Sequence, residues 1–388
     1  MSAKDTPWAL PDKTVARADE ADREIRATDF FLLALLPVRS IAVAGFPLNE
    51  LAIVVLVGLC AFRPSRGGAR LPGAVVLIIG ALLAVLVYSG LANGPALVEV
   101  DWTRRVGHVV IMAGMIWAGG TGRVSLRSAG AGLATGFVVV IALAIVKVGG
   151  DYYPGRLTGY LADPNAGAYF IAVVGILAIF FCDDRAKVRI AVAVPIVVGL
   201  VLVYSRTGLL AGAFAAVWLL LGRRLGQVAG AVLSIGMVWA VNNIPESLTT
   251  VGPFSDRSGS DRLRLRIIAQ EQVELAGAPW YGNGPGTATV QIRDLTFYFH
   301  NSYLATRQEG GWPALLLILL LLAYCFVVVS PQSRQGDLKA AACQAAIVST
   351  GVMAITLGEV LLDTPVSVVV AFALGHALRR PAEEPPDG

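Results

Sequence analysis

Long apolar runs recur along the whole of this 388-residue chain, and they constrain it more than any motif does. A helix crossing a bilayer needs about 20 mostly apolar residues. Twelve segments approach that pattern: 29–45, 47–62, 71–92, 106–119, 128–148, 166–182, 188–204, 207–221, 226–243, 312–330, 340–360 and 364–378. Hydrophobic residues make up 56% of the chain and charged residues 15%, against roughly 25% charged in a soluble domain. Too few polar side chains remain to clothe a water-facing surface of this size. Disorder is excluded as well, because it needs low hydrophobicity and high charge. The expected fold is all-α: a polytopic membrane bundle of about twelve transmembrane helices. Only Gly45-Phe46-Pro47 separates the first two runs, so one broken or re-entrant segment stays open there.

Charge supplies an orientation. With the N-terminus placed in the cytoplasm, 19 of the 31 Lys and Arg residues fall in cytoplasmic segments, and every such segment carries at least two. The positive-inside rule then puts both termini inside. Residues 1–28 mix basic and acidic side chains ahead of the first apolar run, unlike a signal peptide, and read as a cytoplasmic lead-in. Residues 29–380 read as a single membrane domain, and the acidic, proline-bearing 381–388 as a disordered cytoplasmic tail. The one long hydrophilic stretch, 244–311, falls on the external side. Cys60, Cys182, Cys325 and Cys343 sit in apolar runs and read as small buried hydrophobes. His108, His300 and His376 are scattered, without metal-ligand spacing, so no metal site is expected. A net charge of +4 makes no case for nucleic acid.

The external side is where the chain departs from expectation. Ten basic residues fall there, and all are arginine: Arg104, Arg105, Arg156, Arg206, Arg257, Arg262, Arg264, Arg266, Arg293 and Arg307. Guanidinium presents a planar fork suited to phosphate or carboxylate, which points to an anionic ligand. Arg206, in Tyr204-Ser205-Arg206-Thr207-Gly208, lies between two apolar runs with almost no loop. A charge held there is costly unless it lines a cavity or meets a partner. In Ser260-Asp261-Arg262-Leu263-Arg264-Leu265-Arg266, a helix starting at Ser260 or Asp261 puts Arg262 and Arg266 on one face, with Arg264 roughly opposite. Two arginines on one face can clamp a diphosphate. Leu265, Ile268 and Leu275 then form an apolar stripe that lies on the membrane surface or packs over the bundle, and the helix ends near Gly277 and Pro279. Gly282-Asn283-Gly284-Pro285-Gly286 reads as a turn rather than a phosphate cradle, having no nucleotide-loop context. His300 is the only histidine in an external segment, and neutral imidazole can accept a hydroxyl proton near neutral pH. Asn301 or a backbone carbonyl is placed to fix its tautomer. Tyr152, Tyr153 and Tyr160 suit an interfacial belt or a sugar-stacking surface.

Four segments, in this order, resemble the O-antigen ligase/polymerase superfamily of bacterial envelope glycosyltransferases. Arg156-Leu157-Thr158-Gly159 with Asp163-Pro164-Asn165-Ala166-Gly167 is similar to the family's RxTGxxxxPN loop. Ser205-Arg206-Thr207-Gly208 is similar to its SRTG helix junction. Arg262 to Gly286 resembles its arginine-led helix closed by a P-x-x-G-x-G turn. His300-Asn301-Ser302-Tyr303-Leu304 with Glu309-Gly310-Gly311 resembles its HNxYL…ExG stretch. The resemblance covers residues 150–330; the earlier runs match by hydropathy alone.

It implies a helical membrane fold related to the GT-C type. It implies transfer of a glycan from an undecaprenyl-diphosphate carrier to an acceptor hydroxyl, lipid A–core or a related acceptor, on the periplasmic face of the bacterial inner membrane. The reaction would be inverting and would need no metal or cofactor. Arg206 and Arg262 would bind the diphosphate, and His300 would serve the acceptor hydroxyl. Arg156, Asn165, Arg264, Arg266, Asn301 and Tyr303 would line the substrate site. The family often has an aromatic residue four positions after its loop arginine, where this chain has Arg266, so the register among Arg262, Arg264 and Arg266 stays open. A ligase and a polymerase joining lipid-linked repeat units need the same clamp and base, so the motifs do not separate them. A transporter is the reading from another class. It would place ionisable groups near the bilayer midplane and often repeat its halves, and neither pattern stands out.

Overall fold

The computed structural model of the protein describes residues 25–65, 69–94, 101–151, 153–225, 227–242 and 258–378. The lead-in up to residue 24, the tail from 379, and Tyr152 and Arg257 lie outside them. Among the described residues the chain is mostly helical, with two small antiparallel hairpins.

The helices are α1 (Ala27–Ala34), α2 (Leu48–Ala61), α3 (Gly73–Ala92), α4 (Trp102–Gly120), α5 (Leu126–Ile145), α6 (Pro164–Phe181) and α7 (Ala186–Leu202). They continue with α8 (Arg206–Leu221), α9 (Gln227–Asn242), α10 (Ser258–Ala276), α11 (Ser302–Val328), α12 (Ser330–Arg334), α13 (Leu338–Met353) and α14 (Thr364–Ala377). Their starts follow from local chemistry. Asp163, Asn301 and Asp337 each accept two backbone N–H bonds at the first turn of α6, α11 and α13. Ser125 and Ser205 each accept one, at α5 and α8. Such caps satisfy donors that a helix start otherwise leaves unpaired.

Four of the twelve apolar runs form helices both long and apolar enough to cross a membrane: α3, α5, α6 and α11. The helices α2, α8, α13 and α14 are apolar but shorter. The run 29–45 does not form a single helix. α1 stops after eight residues, short of Pro37, and Ala42–Val43 (β1) pairs with Phe46–Pro47 (β2). Eight residues span about 12 Å, far less than a hydrocarbon core of about 30 Å. The run 340–360 is also divided. α13 ends at Met353, and residues 354–363 form turns and bends ahead of α14.

The centre of the bundle is α6, α13 and α14, whose side chains are buried almost all round. Around them α8 packs on α13, α4 on α14, α11 on α3, and α1 on α5. The last pair is backbone on backbone. A Cβ at Gly132 or Gly136 would strike the carbonyl oxygens of Phe30 and Ala34, so small residues spaced by four let α1 lie directly on α5. Leu77, Ile190, Val194, Leu220 and Leu316 face outward, an apolar surface of the kind that lipid covers. The segment 258–311 is not a plain loop. α10 packs on the hairpin Thr289–Ile292 (β3) and Leu295–Tyr298 (β4), over a small core of Ile267, Leu275, Ala288, Val290, Phe299 and Ala305.

Candidate functional site

The end of the bundle carrying 258–311 holds the candidate site. Between α7 and α8 the chain turns in three residues. Tyr204 adopts φ +48, a left-handed conformation uncommon for a side chain of its size, and Ser205 caps α8. Arg206 is therefore the first helical residue, next to the electropositive start of the 16-residue α8. The start of α6 lies beside it. Asn165, in the first turn of α6, accepts from Arg156 Nη2 at 3.2 Å. Arg156 Nε in turn donates to the Val203 carbonyl at 2.9 Å, just ahead of the α7–α8 turn. Two motifs more than forty residues apart are thus tied through one guanidinium.

A small cleft opens there, with about 30 Å³ of free volume. Its lining is Asn165, Ser205, Arg206, Thr207, Arg264, Met353, Thr356 and Leu357. That depth has room for about two waters. A larger ligand would therefore seat a charged end in it and leave the rest above the mouth. The described lining contains two arginines and no carboxylate.

The face that α10 turns inward separates Arg264 from Arg266. Ile267, Glu271 and Leu275 are buried, while Leu265 is 60% and Ile268 40% exposed. The inward stripe is therefore not Leu265, Ile268 and Leu275. It contains position 264, three residues before Ile267. Arg264 lines the cleft, and Arg266 is exposed on the far side. For Arg262 the described structure gives only its helical backbone.

His300 follows β4 at the entrance to α11. Burial and the Arg264 guanidinium hold its imidazole below its ordinary pKa, against the opposing pull of the Tyr298 and Phe299 carbonyls and of Asp163. The ring is thus set toward its neutral, proton-accepting form at pH 7. Asn301 is not spent on orienting the histidine: its Oδ1 caps α11 through the N–H groups of Tyr303 and Leu304. The Tyr303 hydroxyl donates to the Gly351 carbonyl at 2.8 Å, tying α11 to α13.

The glycine-rich turn has a structural role. α11 is broken at Gly310 and Gly311, the latter at φ +69. Asn283 and Gly284 donate their N–H groups to the carbonyls of Gln308 and Glu309, and Trp312 donates to the Trp280 carbonyl. A Cβ on Gly311 would overlap that last oxygen. The turn plugs the helix break, and its amides are not directed at a phosphate.

The other external arginines separate from the cleft. Arg105 pairs with Glu309 at 3.1 Å, Arg307 lies over the Trp312 ring, and Arg293 occupies the β3–β4 turn with φ +57. Sequence reasoning missed Thr207, Thr356 and Leu357. The Thr356 hydroxyl donates to Thr207 Oγ1 at 2.6 Å and closes one wall. Nothing in the apolar run 340–360 marks Thr356 as different from the helix before it. Sequence reasoning also missed Glu271, whose carboxylate accepts the backbone N–H of His300.

No protein-family model matches this chain, and no curated protein does.

Proposed function

We propose that this chain is a membrane glycosyltransferase of the O-antigen ligase/polymerase type. It moves a glycan from an undecaprenyl-diphosphate carrier to an acceptor hydroxyl on the periplasmic face of the bacterial inner membrane. The acceptor would be lipid A–core or another lipid-linked glycan. One observation carries the reading: Arg206 and Arg264 line one cleft with Asn165, at the starts of two helices, and Arg264 lies close enough to His300 to depress its pKa. Helix starts and guanidinium groups together favour an anion. The twelve-run reading with both termini inside supports an external cleft, through the bias of Lys and Arg toward the cytoplasmic segments.

The mechanism follows from that placement. The carrier's diphosphate seats against Arg206 and Arg264, with Arg156 fixing Asn165 beside them. The acceptor oxygen attacks the anomeric carbon as the bond from that carbon to the diphosphate oxygen breaks. Negative charge developing on the leaving diphosphate is taken up by the two guanidinium groups, which supply the preorganised electrostatics. The hydroxyl proton passes to His300 Nδ1 or Nε2. One displacement inverts the anomeric carbon.

The test is transfer from a synthetic lipid-diphosphate glycan by purified protein in vesicles. Arg206→Ala, Arg264→Ala and His300→Ala should each lose transfer while remaining folded. If all three keep full transfer, the reading fails. Because the folded pKa of His300 lies below the ordinary histidine value, activity should stay level above neutral pH. It should fall only at a pH below the ordinary histidine range of about 6.5, as the ring takes up its proton.

A further inference from the structure

Glu271 is a buried carboxylate without an evident structural reason to be there. It is fully buried on the inward face of α10, between Ile267 and Leu275, over the small core beneath the outer segment. A charge in apolar surroundings is disfavoured unless something there needs it. Burial alone pushes its carboxyl above the usual range, and the His300 N–H pulls the other way. Its Oε1 accepts that N–H, and its Oε2 is buried with no hydrogen-bond partner among the described residues.

We infer that Glu271 is a positioning residue that sets the spacing between the diphosphate clamp and the histidine. The inference rests on the transferase reading above. Arg264 and Glu271 are seven residues apart, two helical turns, and so share one face about 10 Å apart along the axis of α10. One rigid helix therefore delivers a guanidinium to the cleft at one point and grips the backbone of His300 at another. The other side of the histidine is held by residues 354–363. Ser302 donates its N–H to the Ala354 carbonyl, and the Ser302 hydroxyl accepts from the N–H groups of Val360 and Leu361. Gly358 presses on the Phe299 carbonyl so closely that a Cβ would overlap it. With the segment clamped on that side, loss of the Glu271 contact frees the position of His300 relative to Arg264 rather than unfolding the segment.

The experiment compares Glu271→Met, of similar size but with no strong acceptor, with Glu271→Gln, which keeps a carbonyl oxygen for the same N–H. Hydrogen exchange at residues 300–303 and steady-state transfer are both read, in wild-type and His300→Ala backgrounds. Exchange at the His300 amide should rise in Glu271→Met and stay protected in Glu271→Gln. The kcat of Glu271→Met should fall roughly 10- to 100-fold with the donor KM nearly unchanged, as expected for a misplaced group. Glu271→Gln should recover most of that loss. In the His300→Ala background Glu271→Met should cost nothing further. Unchanged exchange, or raised exchange with unchanged kcat, overturns the inference and leaves the transferase reading standing. Wild-type protein that transfers nothing overturns both.

Discussion

The cleft and the opposite end of the bundle surround their basic groups with different partners. At the end away from the cleft, basic groups meet carboxylates. Arg63 pairs with Asp29, whose second oxygen accepts the Ser125 N–H at 2.8 Å. His376 lies 2.8 Å from Asp337, and Lys339 and Arg189 both reach Asp184. Apart from Arg189 with Asp184, five residues away, these pairs join elements distant in sequence, so charge there acts as a staple. At the cleft end Arg206 and Arg264 share a wall with hydroxyl and amide groups, and the described lining has no carboxylate. Arginines gathered in this way suit a ligand that brings its own negative charge.

That contrast can be broken from either side. Asp29→Ala removes the buried carboxylate of a pair whose Arg63 is 20% exposed and should cost about 2 kcal/mol of stability, since the remaining, partly solvated charge loses its counter-ion. Thermal unfolding in detergent would measure it, with transfer per folded molecule unchanged. Arg264→Ala should do the reverse. Stability holds, while kcat falls about 10²- to 10³-fold, the usual cost of one donor that stabilises developing charge. An Arg264→Ala protein that melts early but transfers normally would place the arginine with the staples.

Gly311→Ala tests the join between the regions. With φ +69 and the Trp280 carbonyl in the way, it should cost on the order of 1–3 kcal/mol and loosen the 279–284 turn, visible as faster proteolysis there. Asp337 gives a pH signature. Burial raises its carboxyl, but the His376 ring and the N–H groups of Lys339 and Ala340 outweigh that and bring it down to about 2. Its stabilisation is therefore full above about pH 4 and lost as pH falls toward 2. Melting curves across that window should be flatter for Asp337→Asn than for wild type. The smallest effect is Tyr303→Phe, which removes one hydrogen bond to Gly351 and should cost about 1 kcal/mol with kcat unchanged.

Much of the site was legible as types of residue and little as geometry. Arg156, Asn165, Arg206 and His300 stand out because polar groups beside apolar runs are conspicuous. Arg264 stood out together with Arg262 and Arg266, and which of them lines the cleft depends on the face that α10 turns inward. The pattern of leucines pointed to the wrong face, since Leu265 and Ile268 face outward and the buried stripe includes a carboxylate. Thr356 was hidden because hydropathy reads the bend after Met353 as more helix. The glycines at 282–286 and 310–311 read as two separate motifs, although each exists to fit the other.

Composition and periodicity by themselves determined that this chain is helical and apolar, and that its unusual arginines cluster in a few segments. Those properties are local: hydropathy, capping and charge are written residue by residue. Which arginines meet, how a turn plugs a broken helix, and which helix holds the histidine were decided only by packing. They depend on contacts between residues separated by tens to hundreds of positions, and no local preference specifies those.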